Sequence, residues 1–119
     1  MDERFILHLI PAHAYAALAA EAPVGNASLA TEGFLHCTRG LALMLEVANR
    51  FYRAAPGDFL VLVIDPDKVR APVRFEPPTS GADPLAGQLF PHIYGPLNRD
   101  AIVAVRSARR APDGTFLEV

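Results

Sequence analysis

The sequence predicts an α+β fold in a single domain that spans residues 1–119. A chain of this length is typical of one domain. Segments with helical spacing occur only as far as Arg53, whereas short, β-branched segments that predict strands dominate the second half. Helices and strands segregated in this way favour an α+β arrangement over a doubly wound parallel sheet. We expect the order β-α-β-α-β-β-loop-β-β.

The first half is predicted to alternate strands with helices. Arg4–Ile10 is an apolar first strand, and the alanine-rich segment Ala12–Glu21 has high helix propensity. Gly33–Cys37 is a short second strand. Thr38 is a good N-cap residue, and we expect it to begin a second, largely buried helix that ends near Arg53.

The second half is predicted to consist of strands and one long loop. Four segments are short, apolar and bounded by turn residues, and these are predicted strands: Phe59–Asp65, Val73–Glu76, Ala101–Arg106 and Phe116–Val119. The turn signal Asp113-Gly114 favours a hairpin before the last of them. Pro77–Leu89 has adjacent prolines and no periodicity, which is typical of a long loop.

Composition and charge exclude several classes of protein. Cys37 is the single cysteine, so an internal disulfide is impossible and a reducing compartment is expected. The longest strongly apolar run, Phe59–Ile64, is too short to cross a membrane. The opening residues lack a signal-peptide pattern, which predicts a cytoplasmic protein. Basic residues cluster only at Arg106, Arg109 and Arg110, so there is no strong nucleic-acid signal.

Three histidines are the candidate catalytic residues. His8 and His36 each fall in the middle of an apolar predicted strand, and His92 follows the long loop. A buried imidazole needs partners for both nitrogens. Each histidine alone is explained equally well by a bond to a backbone carbonyl, but two of them in separate strands favour a shared ligand or active site. His13 is expected to be solvated.

Cys37 is adjacent to His36, which raises the possibility of a cysteine nucleophile with a histidine base. Successive side chains of a strand point to opposite faces, so these two cannot form a hydrogen bond. We therefore expect Cys37 to be a buried apolar residue. Thr38 and Arg39, at the predicted helix start, either hold an anion or form an ordinary capped end.

The segment Phe90–Asn98 contains two prolines and one glycine. A stiff backbone of this kind presents His92 and Tyr94 at low entropic cost, although a proline-bounded edge strand explains it nearly as well. Zinc binding by His8, His36, His92 and Glu76 is a further possibility, but their spacing matches no metal motif.

Three segments together resemble one family: Glu32–Thr38 (Glu-Gly-Phe-Leu-His-Cys-Thr), Ala48–Tyr52 (Ala-Asn-Arg-Phe-Tyr) and Phe90–Leu97 (Phe-Pro-His-Ile-Tyr-Gly-Pro-Leu). The resemblance is to the small bacterial proteins of domain-of-unknown-function family 952. That family is in turn similar to the ADP-ribosyltransferase fold. The resemblance implies a split sheet with two main helices in the N-terminal half, and a nucleotide site for which NAD is a possible substrate.

The resemblance also implies roles for individual residues. His8 corresponds to a strand histidine that bonds the nicotinamide ribose, and His36 is similar to the second histidine of RNA 2′-phosphotransferases. Asn49 and Tyr52 lie on a segment similar to a binding helix, where Tyr52 and His36 would flank the nicotinamide ring. Glu32 would reach the pocket.

The remaining residues would complete the site. Thr38 or Arg39 would meet a phosphate, and His92 or Tyr94 would cover the site or act as acid or base. The late-strand glutamate of the poly(ADP-ribose) polymerases is missing, and Asp100 is the nearest acid in the similar stretch. That loss favours the histidine–histidine group of the fold.

Three hypotheses follow for a protein whose partner is a small molecule or a nucleotide. The first is a nucleotide site that acts on NAD or on an ADP-ribosylated or phosphorylated substrate. The second is a non-catalytic module that binds a small ligand. The third is a histidine-based, metal-dependent hydrolase.

Overall fold

The computed structural model describes residues 4–25, 27–77 and 88–119. The α+β prediction is confirmed, since every α-helix of the described residues ends by Phe51 and antiparallel strands follow. The helices are α1 (Ala12–Ala16), α2 (Ala27–Glu32) and α3 (Leu41–Phe51). The strands are β1 (Ile6–Pro11), β2 (Leu35–His36), β3 (Thr38–Arg39), β4 (Phe59–Ile64), β5 (Val73–Glu76), β6 (Phe90–Ile93), β7 (Ile102–Ser107), β8 (Arg109–Arg110) and β9 (Phe116–Glu118).

The strands form three antiparallel sheets. A four-stranded sheet has the order β3-β1-β4-β7, and a three-stranded sheet has the order β2-β6-β5. Strands β8 and β9 form the hairpin that the Asp113-Gly114 turn predicted. No helix of the described residues is long and apolar enough to cross a membrane.

The central strands β1 and β4 are buried on both faces. Ile6, Ile10 and Leu62 pack with β2 and β6 on one side of the sheet. Leu7 and Val63 belong to the other side, where Met44, Ala48 and Phe116 cover them. Burial on both faces explains why these strands read as continuous apolar runs rather than as alternating patterns.

The structure corrects the prediction that Thr38 caps the second helix. Thr38 pairs with Leu7 in β3, and Gly40 is the N-cap of α3, with a φ of 92° that favours glycine. Pairing with β1 keeps the backbone extended, so the helix begins at Leu41. The anion site predicted at a helix start around Thr38 and Arg39 therefore lacks its helix.

Other differences concern the lengths and the number of elements. The predicted helix Ala12–Glu21 ends at Ala16, and the helix Ala27–Glu32 was not predicted. Phe90–Ile93 is the middle strand of its sheet rather than an edge strand. The predicted loop Pro77–Leu89 lies mostly outside the described residues.

Candidate functional site

The candidate site lies where the chain passes from one sheet to the other. Strand β2 pairs with β6, whereas β3, one residue further on, pairs with β1. Between them, the Cys37 N–H donates to the Pro91 carbonyl at 3.0 Å. Pro91 has no N–H to donate in return, so the ladder ends there and the two sheets diverge. Strand β3 pairs with β1 only at Ile6 and Leu7, and a cavity opens beyond them.

The cavity has a volume of about 400 Å³, which suits a small ligand. Its polar lining consists of His8, His36, Thr38 and Tyr52, and its apolar lining consists of Leu9, Ile10, Pro11, Ala14, Met44 and Val47. No arginine or lysine is among these lining residues. The described lining of the cavity thus combines an apolar wall with a few hydrogen-bonding groups and includes neither arginine nor lysine.

His8 bridges the gap between the two sheets. It is buried, and its Nδ1 lies 2.7 Å from the carbonyl oxygen of His36. Because a carbonyl only accepts, Nδ1 carries the proton and Nε2 is the basic nitrogen. Burial lowers the pKa of His8 and outweighs the opposing effect of that carbonyl, while the nearby charge of His36 lowers it further. His8 is therefore neutral at neutral pH.

Glu32 contacts His36, which lies at the polar end of the cavity. Its Oε2 lies 2.9 Å from Nε2 of His36, four residues further along the chain. Tyr52 is on the cavity wall at the end of α3, and its pKa is raised by burial and by the negative charge of Glu32. The Tyr52 phenol consequently stays protonated and able to donate.

A comparison of the sequence with known protein families identifies the family. Residues 9–105 match the family described as "Protein of unknown function (DUF952)". The chain belongs to this family. A solved structure, protein CC0527 from Caulobacter crescentus, is 20% identical, with a TM-score of 0.75, and the match covers 94% of this chain and 92% of that chain. A double mutant of CC0527 gives the same values.

At this identity the likeness to CC0527 shows the fold alone. No curated protein matches the chain. The DUF952 match includes the segments around His36 and His92, and the chemistry has to be inferred from the site itself.

His92 does not line the cavity, but its ring contacts the ring of His36, which does. Its ring stacks on Phe34 with a centroid distance of 4.2 Å and meets the His36 ring edge-on at 5.3 Å. Nδ1 of His92 lies 2.8 Å from Glu76, which also accepts a hydrogen bond from the Tyr94 hydroxyl at 2.5 Å. Of the three predicted catalytic histidines, His8 and His36 therefore share a cavity, and His92 packs against one of them.

Arg39 lies away from the cavity. Thr38 lines the cavity, and adjacent side chains of a strand point to opposite faces. The Arg39 guanidinium lies instead over the Phe75 ring, 5.1 Å from its centroid. Arg39 thus does not accompany Thr38 into the cavity.

Asn49 is used by the C-terminal hairpin. Its amide donates to the Phe116 carbonyl at 3.0 Å and accepts from the Phe116 N–H at 2.7 Å. Asn49 is not among the cavity residues, and its contacts explain its role on α3 as docking β9.

We expect Asn49→Ala to lower the free energy of unfolding by about 2 kcal/mol, since two backbone groups of Phe116 lose their partner. Urea denaturation measures this loss. Asn49→Asp keeps the acceptor for the Phe116 N–H but sets a carboxylate oxygen against the Phe116 carbonyl oxygen, so it should be destabilised as well. An unchanged stability of either variant would contradict the assignment of both bonds.

Cys37 confirms the expectation of a buried apolar residue. It belongs to the core shared by β1 and β6, and burial raises the pKa of its thiol. His13 lies on α1 and is exposed, as predicted. Asp100, the nearest late acid, is held by Asn98 at 2.6 Å and by Arg70 at 3.1 Å. It is not a cavity residue.

Within residues 4–25, 27–77 and 88–119, no three His, Cys, Asp or Glu side chains are placed to hold a metal ion. His8, His36 and His92 each direct one ring nitrogen at a protein acceptor: the His36 carbonyl, Glu32 and Glu76 respectively. This geometry offers no support for zinc binding by the three histidines and Glu76.

Sequence reasoning missed the part that Phe34 plays in the site. Phe34 lies 4.7 Å from His36 and 4.2 Å from His92, measured between ring centroids. The spacing of Phe34 and His36 by two residues placed them on one strand face, which was the available signal. The apolar wall formed by Met44 and Val47 was not predicted, beyond the expectation that the second helix is largely buried.

Proposed function

We propose that this DUF952 protein binds NAD, with the nicotinamide–ribose end in the cavity, and acts on it through an ADP-ribosyltransferase-like site. The observation that supports this most is that His8 and His36 line one cavity at the divergence of two sheets. The resemblance assigns His8 to a ribose hydroxyl. Its neutral, Nδ1-protonated form presents a basic Nε2 suited to accept from such a hydroxyl.

The charge of the site supports the orientation of the ligand. No arginine or lysine is among the described residues that line the cavity, so these residues offer no counter-charge to a diphosphate. Glu32 is not a cavity residue, but its carboxylate contacts His36, which is, and so lies near the polar end of the cavity. A cationic pyridinium ring with a ribose matches these features, whereas the phosphates would remain outside. Met44 and Val47 provide the apolar surface for the ring.

The reaction we propose breaks the bond between C1′ of the ribose and the nicotinamide nitrogen. The electron pair of that bond stays on nicotinamide, and positive charge develops on the ribose, as in glycoside hydrolysis. Glu32 stabilises this charge electrostatically. The oxygen of water, or of an acceptor hydroxyl, then bonds to C1′ and loses its proton to the His36–Glu32 pair. With water, the products are nicotinamide, ADP-ribose and a proton.

Thermal unfolding with and without NAD tests the binding. Millimolar NAD should raise the melting temperature of the wild type, because a ligand that binds only the folded state stabilises it. His8→Ala should abolish the shift. His8→Asn keeps a donor for the His36 carbonyl, so it controls for loss of the shift through a folding defect in His8→Ala.

His13→Ala is the matched control, since His13 is exposed and outside the cavity. It should leave the shift unchanged. A well-folded wild type that shows no shift at millimolar NAD would rule out the proposed site.

A non-catalytic binding module is the second candidate, and the position of Asp100 favours it. The late acid of the chain is engaged by Asn98 and Arg70 rather than lining the cavity. Such a module would show the NAD-dependent shift in melting temperature without turnover. A sensitive assay for released nicotinamide separates the two: release by the wild type that is lost in His8→Asn supports the enzyme.

A further inference from the structure

The Glu76 carboxylate forms hydrogen bonds with two ring side chains. These are His92, on the neighbouring strand β6, and Tyr94, the residue that follows β6. Oε1 of Glu76 lies 2.8 Å from Nδ1 of His92 and accepts from the Tyr94 hydroxyl at 2.5 Å. These two bonds lower the pKa of the Glu76 carboxyl, so it is ionised at neutral pH. An ionised carboxylate only accepts, so Nδ1 of His92 is the donor and carries a proton.

The His92 ring connects Glu76 with His36, which lines the cavity. His92 is 2% exposed, stacks on Phe34, and lies opposite His36 in the register of β6 and β2. Its ring meets the His36 ring edge-on, with a centroid distance of 5.3 Å. Contacts therefore run without interruption from Glu76 through His92 to His36, which lines the cavity.

We infer that Glu76 is a positioning residue of the candidate site: it holds His92 in one tautomer and one orientation, and His92 in turn fixes the ring of His36. This inference rests on the proposed function for its catalytic consequence. Glu32 holds His36 from the other side, through Nε2. A ring fixed on both sides loses little entropy when it meets a substrate.

The arrangement resembles catalytic sites in which a carboxylate orients a histidine. The structure has two carboxylate–imidazole pairs, Glu32–His36 and Glu76–His92, and their two histidines lie opposite each other on the paired strands β2 and β6. Arg74 lies over the Tyr94 ring at 4.9 Å and adds a positive charge beside Glu76. The structure thus supplies a second carboxylate that is linked to His36 through His92, and this carboxylate is not among the cavity residues.

Glu76→Gln tests the inference, with Glu118→Gln as the matched control. Glu118 is an exposed glutamate of β9 paired with Arg109, outside the cavity. The amide of Glu76→Gln fits the same space but removes the charge. We expect the NAD-dependent shift in melting temperature to persist, kcat for nicotinamide release to fall at least about tenfold, and KM to change little. The control should match the wild type.

Ring 15N NMR gives a readout that is independent of turnover. In the wild type, His92 should be the Nδ1-protonated tautomer, and Glu76→Gln should displace the ring 15N signals of both His92 and His36. Glu118→Gln should displace neither. Unchanged His36 signals in Glu76→Gln, or an unchanged kcat, would overturn the inference.

The two proposals fail differently. A wild type with no NAD-dependent shift in melting temperature refutes the proposed function, and the NMR comparison still decides whether Glu76 positions His36. A wild type that releases nicotinamide at the same rate as Glu76→Gln refutes the inference alone.

Discussion

Replacing Gly114 with alanine is expected to lower the free energy of unfolding by about 2–5 kcal/mol, which combines the cost of a left-handed backbone with that of overpacking. Gly114 has a φ of +94°, and an added Cβ would overlap the backbone carbonyl of Arg53. The same turn is held by Arg110, whose guanidinium donates to the carbonyls of Gly114 and Tyr52. Close packing of the turn on the end of α3 leaves no room for a side chain.

Gly57→Ala is the matched control for this substitution. Gly57 has a similar φ of +91°, but nothing lies within 4 Å of the position that an added Cβ would take. Its substitution should cost only about 1–2 kcal/mol from the backbone conformation. Urea denaturation of both variants isolates the steric contribution as the difference. Equal losses would mean that the hairpin moves away from α3 at no cost.

Two strands of the second half were predicted to within one residue of their bounds. Val73–Glu76 has the predicted bounds, and the strand predicted at Phe59–Asp65 runs from Phe59 to Ile64. The latter strand is buried on both faces, so it has to be apolar throughout, and its β-branched composition disfavours a helix. For this strand, the local sequence pattern and the burial in the folded protein favour the same element.

The start of α3 was not predictable from local sequence. Thr38 has the chemistry of an N-cap, but its pairing with Leu7 draws it into β3. A pairing between residues so far apart in the chain leaves no trace in the local pattern. Pro91 is a similar case: it occupies a middle strand because β2 leaves that sheet at the point where the missing N–H would be needed.

The candidate site was predicted in part, for related reasons. Alternation along a strand separated His36 from Cys37 correctly, because that rule needs only the backbone. The meeting of His8 with His36 depends on how two sheets diverge, and sequence could only suggest it. Asn49 was assigned to the site by resemblance, whereas its amide docks the C-terminal hairpin.

The stability of the protein should depend on pH through His8. The folded state keeps this imidazole neutral, because burial lowers its pKa. In the unfolded chain the same group has an ordinary pKa of about 6.5. Below that pH the unfolded chain binds a proton that the folded protein does not, so the free energy of unfolding falls as the pH drops. The contribution reaches at most about 1.4 kcal/mol per pH unit.

His8→Asn isolates this contribution. The asparagine amide replaces the Nδ1–H that donates to the His36 carbonyl, but it does not titrate. The stability of the wild type relative to His8→Asn should therefore decrease as the pH falls from about 7.5 to about 5. His13→Asn serves as the control for a histidine-to-asparagine substitution at an exposed position. Urea denaturation at each pH gives both curves.

A flat difference for His8→Asn would mean that His8 takes up a proton within the folded protein. Below about pH 6.5 the cavity would then present a cation instead of a basic Nε2. A protonated His8 cannot accept a hydrogen bond from a ribose hydroxyl and would repel a pyridinium ring. The pH dependence thus tests, without any ligand, the charge state on which the proposed NAD site depends.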